Sequence, residues 1–168
     1  MRGDMNDRSS STTEYIKFFV VIFGIISVSI ALSSISESGG IQEYLRWFMG
    51  VFMVTFAAFK FIGYKSFSTM FAGYDVVAKR FSFYGKLFPF IQLALGLLYL
   101  MNLLPDARHA LVLVVAGVSS IGVFKEISKR KSGVHCACLG NVIKLPLSTV
   151  SFVEDAGMFV MAGSMLLL

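Results

Sequence analysis

Five long apolar stretches divide this chain, and they limit the folds open to it more than any other feature. Each is close to the ~20 residues that a helix needs to cross ~30 Å of hydrocarbon. A chain of 168 residues cannot bury so many apolar helices in one water-soluble core, and its composition, 56% hydrophobic and 15% charged, agrees. The sequence therefore predicts an all-α, polytopic transmembrane helical bundle. Its predicted helices are residues 16–35, 47–64, 87–104, 107–124 and 147–168.

The predicted bundle is a single transmembrane domain, residues 16–168, behind a polar N-terminal segment, residues 1–15. The first span also has features of a cleaved secretory signal, because Arg2 and Arg8 precede it and the small-residue site 29–31 lies near its end. However, its apolar run is longer than the ~7–15 residues of a signal core, and three acidic residues precede it. We therefore expect a signal anchor or an ordinary first helix.

The distribution of lysine and arginine predicts which side of the membrane each loop faces. With a cytoplasmic N-terminus, 13 of the 15 basic residues fall in inside segments or at their edges, and only Arg46 and Arg108 fall outside. The N-terminus and the last inner loop, residues 125–146, are therefore predicted to be cytoplasmic, in a cell (inner) membrane. Anionic lipid head groups would attract these basic loops, and no nucleic-acid motif accompanies them. We expect no nucleic-acid partner.

Both cysteines, Cys136 and Cys138, lie in that last inner loop beside His135. A disulfide between them would close a small, strained ring, and the cytoplasm keeps thiols reduced, so we expect no structural disulfide. Nearby basic residues favour the thiolate, which predicts a reactive redox dithiol. One imidazole and two thiolates also suit Cu(I) or Zn, although a closed zinc site needs four ligands. The remaining alternative is a loop without chemistry.

An acidic pair, Glu154 and Asp155, lies roughly 10–12 Å into the last span at 1.5 Å per residue. An ionised carboxylate near a helix centre costs ~2.5–3.5 kcal/mol, so such residues are candidates for a functional site. Lys60 is predicted at a similar depth and is placed to pair with one of them. Gln92, Ser119 and Ser120 would complete an intramembrane polar centre. The alternatives are a structural ion pair and ordinary hydrogen bonds between helices.

Other patterns concern packing and the class of protein. Between residues 65 and 86, spaced aromatic residues predict a short amphipathic helix on the inner face. No nucleophile elbow, phosphate loop or zinc-protease helix is present, which argues against a classical enzyme. Small residues let membrane helices approach closely. Five glycines in the spans are predicted to do so: Gly96, Gly117, Gly122, Gly157 and Gly163.

Short motifs in the C-terminal two thirds of the chain form a specific combination. They are Tyr74-Asp75-x2-Ala78-Lys79-Arg80, Phe83-x5-Pro89-Phe90-Ile91-Gln92-Leu93-Ala94-Leu95-Gly96, and His135-Cys136-Ala137-Cys138-Leu139-Gly140 followed by Pro146 and Val153-Glu154-Asp155. From about residue 47 to residue 168 the chain resembles the MauE/DoxX family of redox-associated membrane proteins, the methylamine-utilisation (MauE-like) members above all.

The resemblance carries expectations about fold and function. It implies a four-helix DoxX-like core, to which this chain adds one N-terminal helix. It also implies that the protein is encoded beside redox or heavy-metal-handling proteins. Methylamine-utilisation members are implied to assist disulfide formation in a periplasmic partner, with the thiol unit at Cys136 and Cys138. Relatives often carry glutamate where this chain has Gln92.

Together these features predict an integral membrane accessory protein whose dithiol acts in thiol redox or in maturation of a redox partner, without catalysis of its own. The alternative is a protein associated with heavy-metal (Cu/Zn) transport, with His135, Cys136 and Cys138 as the metal ligands. The expected partners are membrane lipid and a redox or metal-handling protein, and a homo-oligomer is compatible with either function.

Overall fold

Every regular element in the described part of the chain is an α-helix. The computed structural model describes residues 4–36, 40–74, 78, 80–128 and 147–167. In chain order the helices are α1 (Asp4–Ile35), α2 (Ile41–Ile62), α3 (Tyr64–Tyr74), α4 (Ser82–Leu100), α5 (Pro105–Ser128) and α6 (Leu147–Leu167). The predicted all-α class is confirmed.

The apolar helices are those of a multi-pass membrane protein. Among the described residues, three helices contain segments long and apolar enough to cross a bilayer: Ile16–Ile35 in α1, Ile41–Ile62 in α2 and Phe83–Leu100 in α4. A shorter apolar stretch, Ala107–Ile121, lies in α5. The helix at the last predicted span is α6, which has 21 residues.

The helices extend beyond the apolar blocks by which they were predicted. The helix α2 begins at Ile41 rather than at residue 47. Its first turns are polar, but their side chains form hydrogen bonds within the helix. The carboxylate of Glu43 accepts hydrogen bonds from Arg46 and Trp47, three and four residues further on. Such pairs stabilise a helix without raising its hydropathy. Likewise, α1 begins at Asp4, twelve residues before the apolar part of that helix.

The third predicted span ends earlier than expected, because α4 stops at Leu100 and a tight turn of residues 101–104 follows. Asn102 and Leu104 have φ values of 53° and 47°. This left-handed conformation is uncommon for residues other than glycine and especially for a leucine. Pro105 then begins α5, a position where its missing N–H costs nothing.

Two glycines bring α2 and α4 into close contact. A Cβ atom on Gly96 would lie 2.9 Å from Val54 Cγ2 and 3.1 Å from the backbone nitrogen of that residue. A Cβ atom on Gly50 would lie 2.6 Å from Leu100 Cδ2. The prediction for Gly96 is therefore correct, whereas Gly50 was not foreseen.

The glycine prediction fails on α6. A Cβ atom on Gly157 would meet the Met161 Cε atom of its own helix, at 4.0 Å, and no atom of another described helix lies within that distance. At Gly117 and Gly163 the nearest atoms of the other helix are 3.5 and 3.9 Å away, which is ordinary contact. The side-chain surroundings of Gly122 lie outside the described residues.

The amphipathic helix predicted between residues 65 and 86 is α3. Its buried residues Phe67 and Phe71 pack against Phe88 of α4, with ring centroids 6.0 and 4.5 Å apart. The apolar face of α3 therefore covers the core of the bundle.

Candidate functional site

A polar centre, comprising Lys60, Gln92, Ser119, Glu154 and Asp155, is buried among four helices. Each of these side chains belongs to a residue that is at most 4% exposed. They come from α2, α4, α5 and α6, so chain segments up to 95 residues apart meet here. Of the six residues that the sequence assigned to an intramembrane polar centre, five are among them, whereas Ser120 Oγ is buried without a hydrogen-bond partner in the described part of the chain.

Lys60 of α2 links that helix to α4 and α6. Its Nζ atom donates to Glu154 Oε1 and to Gln92 Oε1, each at 2.5 Å. The Gln92 amide nitrogen in turn donates to the same Glu154 oxygen at 2.8 Å. Gln92 thus uses both ends of its amide, one as acceptor and one as donor. An ionised glutamate at this position could not donate that second hydrogen bond.

Aromatic rings surround the Lys60 ammonium group. Its Nζ atom lies 5.1 Å from the ring centroid of Phe88 and 5.6 Å from that of Phe67. Both distances are within the range of cation–π attraction. Because α3 supplies Phe67, the short helix covers the charge as well as the apolar core.

The two adjacent carboxylates are directed to different helices. Asp155 Oδ2 accepts a hydrogen bond from Ser119 of α5 at 2.8 Å, whereas Glu154 binds groups on α2 and α4. Successive residues of an α-helix point about 100° apart, so one acidic pair can serve two interfaces. The polar centre therefore links α6 to α2, α4 and α5 by hydrogen bonds.

The polar centre lies near the end of the bundle to which the cysteine loop connects. Glu154 is seven residues into α6, which is ~10 Å at 1.5 Å per residue, and Ser119 is nine residues before the end of α5. Residues 129–146 join these two helix ends in the chain. Chemically, the centre offers a buried ion pair, a neutral amide and a second carboxylate, groups that can hold or exchange protons.

The proposed thiol and metal ligands His135, Cys136 and Cys138 lie outside the described residues. Within the described part of the chain, no group of three or more His, Cys, Asp and Glu side chains could hold a metal ion.

A second polar cluster, at the opposite end of the bundle, was not foreseen as a site. There Arg46 forms an ion pair with Glu43 and donates from Nη1 to the carbonyl oxygens of Tyr99 (2.7 Å) and Leu100 (3.1 Å). These carbonyls end α4, where a cation interacts favourably with the helix dipole. Arg46 is only 6% exposed, so it holds α2 against the end of α4.

Residues of α4 and α5 complete this cluster. The Tyr99 hydroxyl and His109 Nδ1 are 2.7 Å apart, and the Arg108 guanidinium lies 4.9 Å from the Tyr99 ring centroid. Glu43, Arg46, Arg108 and His109 line a cavity of about 300 Å³. The signal available in the sequence was that Arg46 and Arg108 are the only basic residues in the predicted outer segments.

A family model described as "Methylamine utilisation protein MauE" matches residues 32–168 of the chain. No curated protein matches the chain, and no solved structure matches it. The matched range includes α2 to α6 and the cysteine loop. It begins at residue 32, in the last turn of α1.

Proposed function

The chain belongs to the MauE family of methylamine utilisation proteins, and from this premise we propose that it is an integral membrane accessory protein for maturation of a redox partner. Cys136 and Cys138 would act as its thiol pair. The membrane character of the chain follows already from its helices.

The observation that carries the proposal is the buried polar centre beside the end of the bundle that the cysteine loop joins. Lys60, Gln92 and Glu154 are each at most 2% exposed, and a membrane bundle keeps such costly groups where they serve a function or a necessary contact. Thiol exchange depends on the thiolate form and therefore on proton transfer. A polar centre ~10 Å from the first residue of α6, which follows the cysteine loop in the chain, is suitably placed to influence protons near that loop.

The proposed reaction is thiol–disulfide exchange. The thiolate of one cysteine attacks one sulfur of a partner disulfide, forms a mixed disulfide and releases the other partner sulfur as a thiolate. The second cysteine of the pair, Cys136 or Cys138, then attacks the mixed disulfide and releases the partner as a dithiol. The number of disulfide bonds is conserved, and the small Cys-x-Cys ring that results is strained and easily reduced again.

We propose a cytoplasmic position for the N-terminus and for the cysteine loop, in a cell (inner) membrane, on the charge distribution of the loops. In that compartment thiols are kept reduced, so the resting state would be the dithiol. The partner would then present its cysteines at the same face of the membrane.

Trapping the mixed disulfide tests the proposal directly. With Cys138→Ser, and separately with Cys136→Ser, removal of the second thiol should leave a covalent adduct with the partner. We expect one single variant to give a band of higher mass on a non-reducing gel, which reductant removes. The control is the double serine variant, which should give no band. No adduct with either single variant would contradict the exchange reaction.

The same double variant tests the alternative of Cu or Zn handling by His135, Cys136 and Cys138. If purified wild-type protein retains Cu(I) or Zn stoichiometrically and the double variant does not, the loop is a metal site. We expect equal metal content in both proteins. Unequal content together with unchanged thiol states in the cell would replace the redox function by metal transport.

A further inference from the structure

An apolar cleft of about 450 Å³ lies between α1, α2 and α6, and a carboxylate lies at its inner end. Five of its ten described lining residues are phenylalanines, including Phe18 and Phe19 of α1 and Phe52 and Phe56 of α2. At the surface, Phe19 is 65% exposed, whereas Phe56 is fully buried. The cleft therefore runs from the apolar surface of the bundle to its interior.

The rings of α2 form a continuous aromatic surface along the cleft. Phe48, Phe52 and Phe56 follow each other at a spacing of four residues, which places them on one face of the helix. The ring centroids of the first two are 5.8 Å apart, and those of the last two are 4.5 Å apart. Aromatic rings pair favourably at such distances, so an aromatic ligand could extend the row.

Glu154 is the only ionisable residue among the described residues that line the cleft. It belongs to the polar centre, but both of its hydrogen bonds, from Lys60 and Gln92, end on Oε1. No group in the described part of the chain donates to Oε2, although the residue is only 2% exposed. Glu154 lines the cleft, and a carboxylate oxygen that faces an apolar space without a donor is costly, so a ligand in the cleft could supply that donor.

The charge at the inner end of the cleft indicates what kind of donor fits. Because Lys60 already neutralises Glu154, a ligand ammonium group would bring an unbalanced charge into an apolar space. A neutral hydroxyl would donate to Oε2 without that cost. Lipid acyl chains could fill the cleft but cannot donate a hydrogen bond.

We propose that the cleft binds a membrane-soluble phenol-type molecule. Its hydroxyl donates to Glu154 Oε2, its aromatic ring packs against the row of α2 phenylalanines, and its apolar tail leaves between Phe19 and Val160 towards the lipid. Val160 is 67% exposed at that opening. A volume of about 450 Å³ is in the usual range of small-molecule sites.

The helix α1 sets this site apart from the part of the chain that the family model covers. Phe18, Phe19 and Ile22 form one wall of the cleft, and all three precede residue 32, where the match begins. The site therefore depends on the additional N-terminal helix. The described residues that line the cleft all lie outside the cysteine loop of residues 129–146, so this site can be tested apart from the thiol chemistry proposed above.

Equilibrium binding of a labelled probe tests the proposal. The full chain, in nanodiscs of phosphatidylcholine, is titrated with tritiated 4-decylphenol, and uptake by empty nanodiscs is subtracted. We expect saturable binding of one molecule per chain. The matched probe is 4-decylanisole, whose methylated oxygen cannot donate a hydrogen bond. Its affinity should be lower by about tenfold or more. Equal binding of the two probes would overturn the proposal.

Substitutions that fill the cleft provide the second part of the test. Gly157→Leu should reduce 4-decylphenol binding about tenfold, because a Cβ at this position has no close neighbour on another helix and the side chain would occupy the cleft. Gly24→Leu is the matched control, since a Cβ there meets nothing within 4 Å and Gly24 does not line the cleft. Val160→Trp, at the exposed opening, serves if Gly157→Leu does not fold.

The outcomes separate this site from the proposed function. The double variant Cys136→Ser/Cys138→Ser should bind 4-decylphenol as the wild type does. Wild-type binding by both Gly157→Leu and Val160→Trp would overturn the proposal, because the phenol would then sit elsewhere. Failure of the disulfide-trapping experiment would leave this result unaffected.

Discussion

At the scale of single residues, Lys60 matters most to the interior of the bundle. It is 1% exposed and contacts a carboxylate, an amide and two aromatic rings from three other helices. A buried ion pair is weak evidence for stability as such, because two desolvated charges can often be replaced by apolar groups without loss. Removal of one partner alone is different, since it leaves an uncompensated buried charge.

Lys60→Met should therefore lower the free energy of unfolding by about 3–5 kcal/mol, because Glu154 loses its counter-ion. The double variant Lys60→Met/Glu154→Gln should regain most of that loss, since two neutral amides at positions 92 and 154 can bond to each other. Equilibrium unfolding in detergent micelles measures the free energy of unfolding of the single and the double variant. Additive losses in the double variant would show that the two side chains do not interact.

Arg46→Met should destabilise the protein by about 1–3 kcal/mol, because the carbonyls of Tyr99 and Leu100 lose their side-chain donor. Arg46→Lys keeps the charge but not the forked geometry of the guanidinium group. The stability of this variant should therefore lie between those of the wild type and Arg46→Met. Thermal unfolding of the purified variants checks this order. Equal stability of Arg46→Met and the wild type would show that the contact contributes nothing.

At the scale of helices, the contact of α2 with α4 depends on absent side chains. At Gly96 a methyl group would approach the backbone of α2, which cannot move as a flexible side chain can. The short helix α3 contributes in a different way, by adding Phe67 and Phe71 to the core beside Lys60. A helix expected at the inner face thus takes part in the packing of the bundle.

Gly96→Ala should lower the free energy of unfolding by about 1–3 kcal/mol, because α2 and α4 must separate. Gly117→Ala is the matched control: its Cβ would lie 3.5 Å from Phe159, an ordinary contact, and alanine favours the helix. We expect the control to be neutral or slightly stabilising in the same unfolding assay. Similar losses at both positions would contradict the role given to close packing at Gly96.

At the scale of the whole molecule, the membrane orientation proposed from the basic loops leads to a labelling pattern. In intact cells, a membrane-impermeant maleimide should leave Cys136 and Cys138 unlabelled until the cells are permeabilised. In the double serine background, Ser38→Cys, between α1 and α2, should be labelled without permeabilisation. Reversal of this pattern would reverse the orientation and move the thiols to the other compartment.

The fold class and the polar residues of the interior were largely predictable from the sequence, because both follow from local composition. Long apolar blocks exclude a soluble core, and Glu154, Asp155 and Lys60 stand out within such blocks because a charge there is costly. The bounds of helices were less predictable. Hydropathy does not detect a polar first turn, such as that of α2 around Glu43, or the early end of α4 at Leu100.

The sequence by itself determined that this chain is a membrane bundle of the MauE family with polar groups in its spans. Only the tertiary structure decided which groups meet: Glu154 with Lys60 and Gln92, Asp155 with Ser119, and Arg46 with the end of α4. Only it shows the cleft between α1, α2 and α6. The physical reason is that hydropathy is a property of each segment, whereas hydrogen bonds and cavities depend on how helices distant in sequence are rotated against one another.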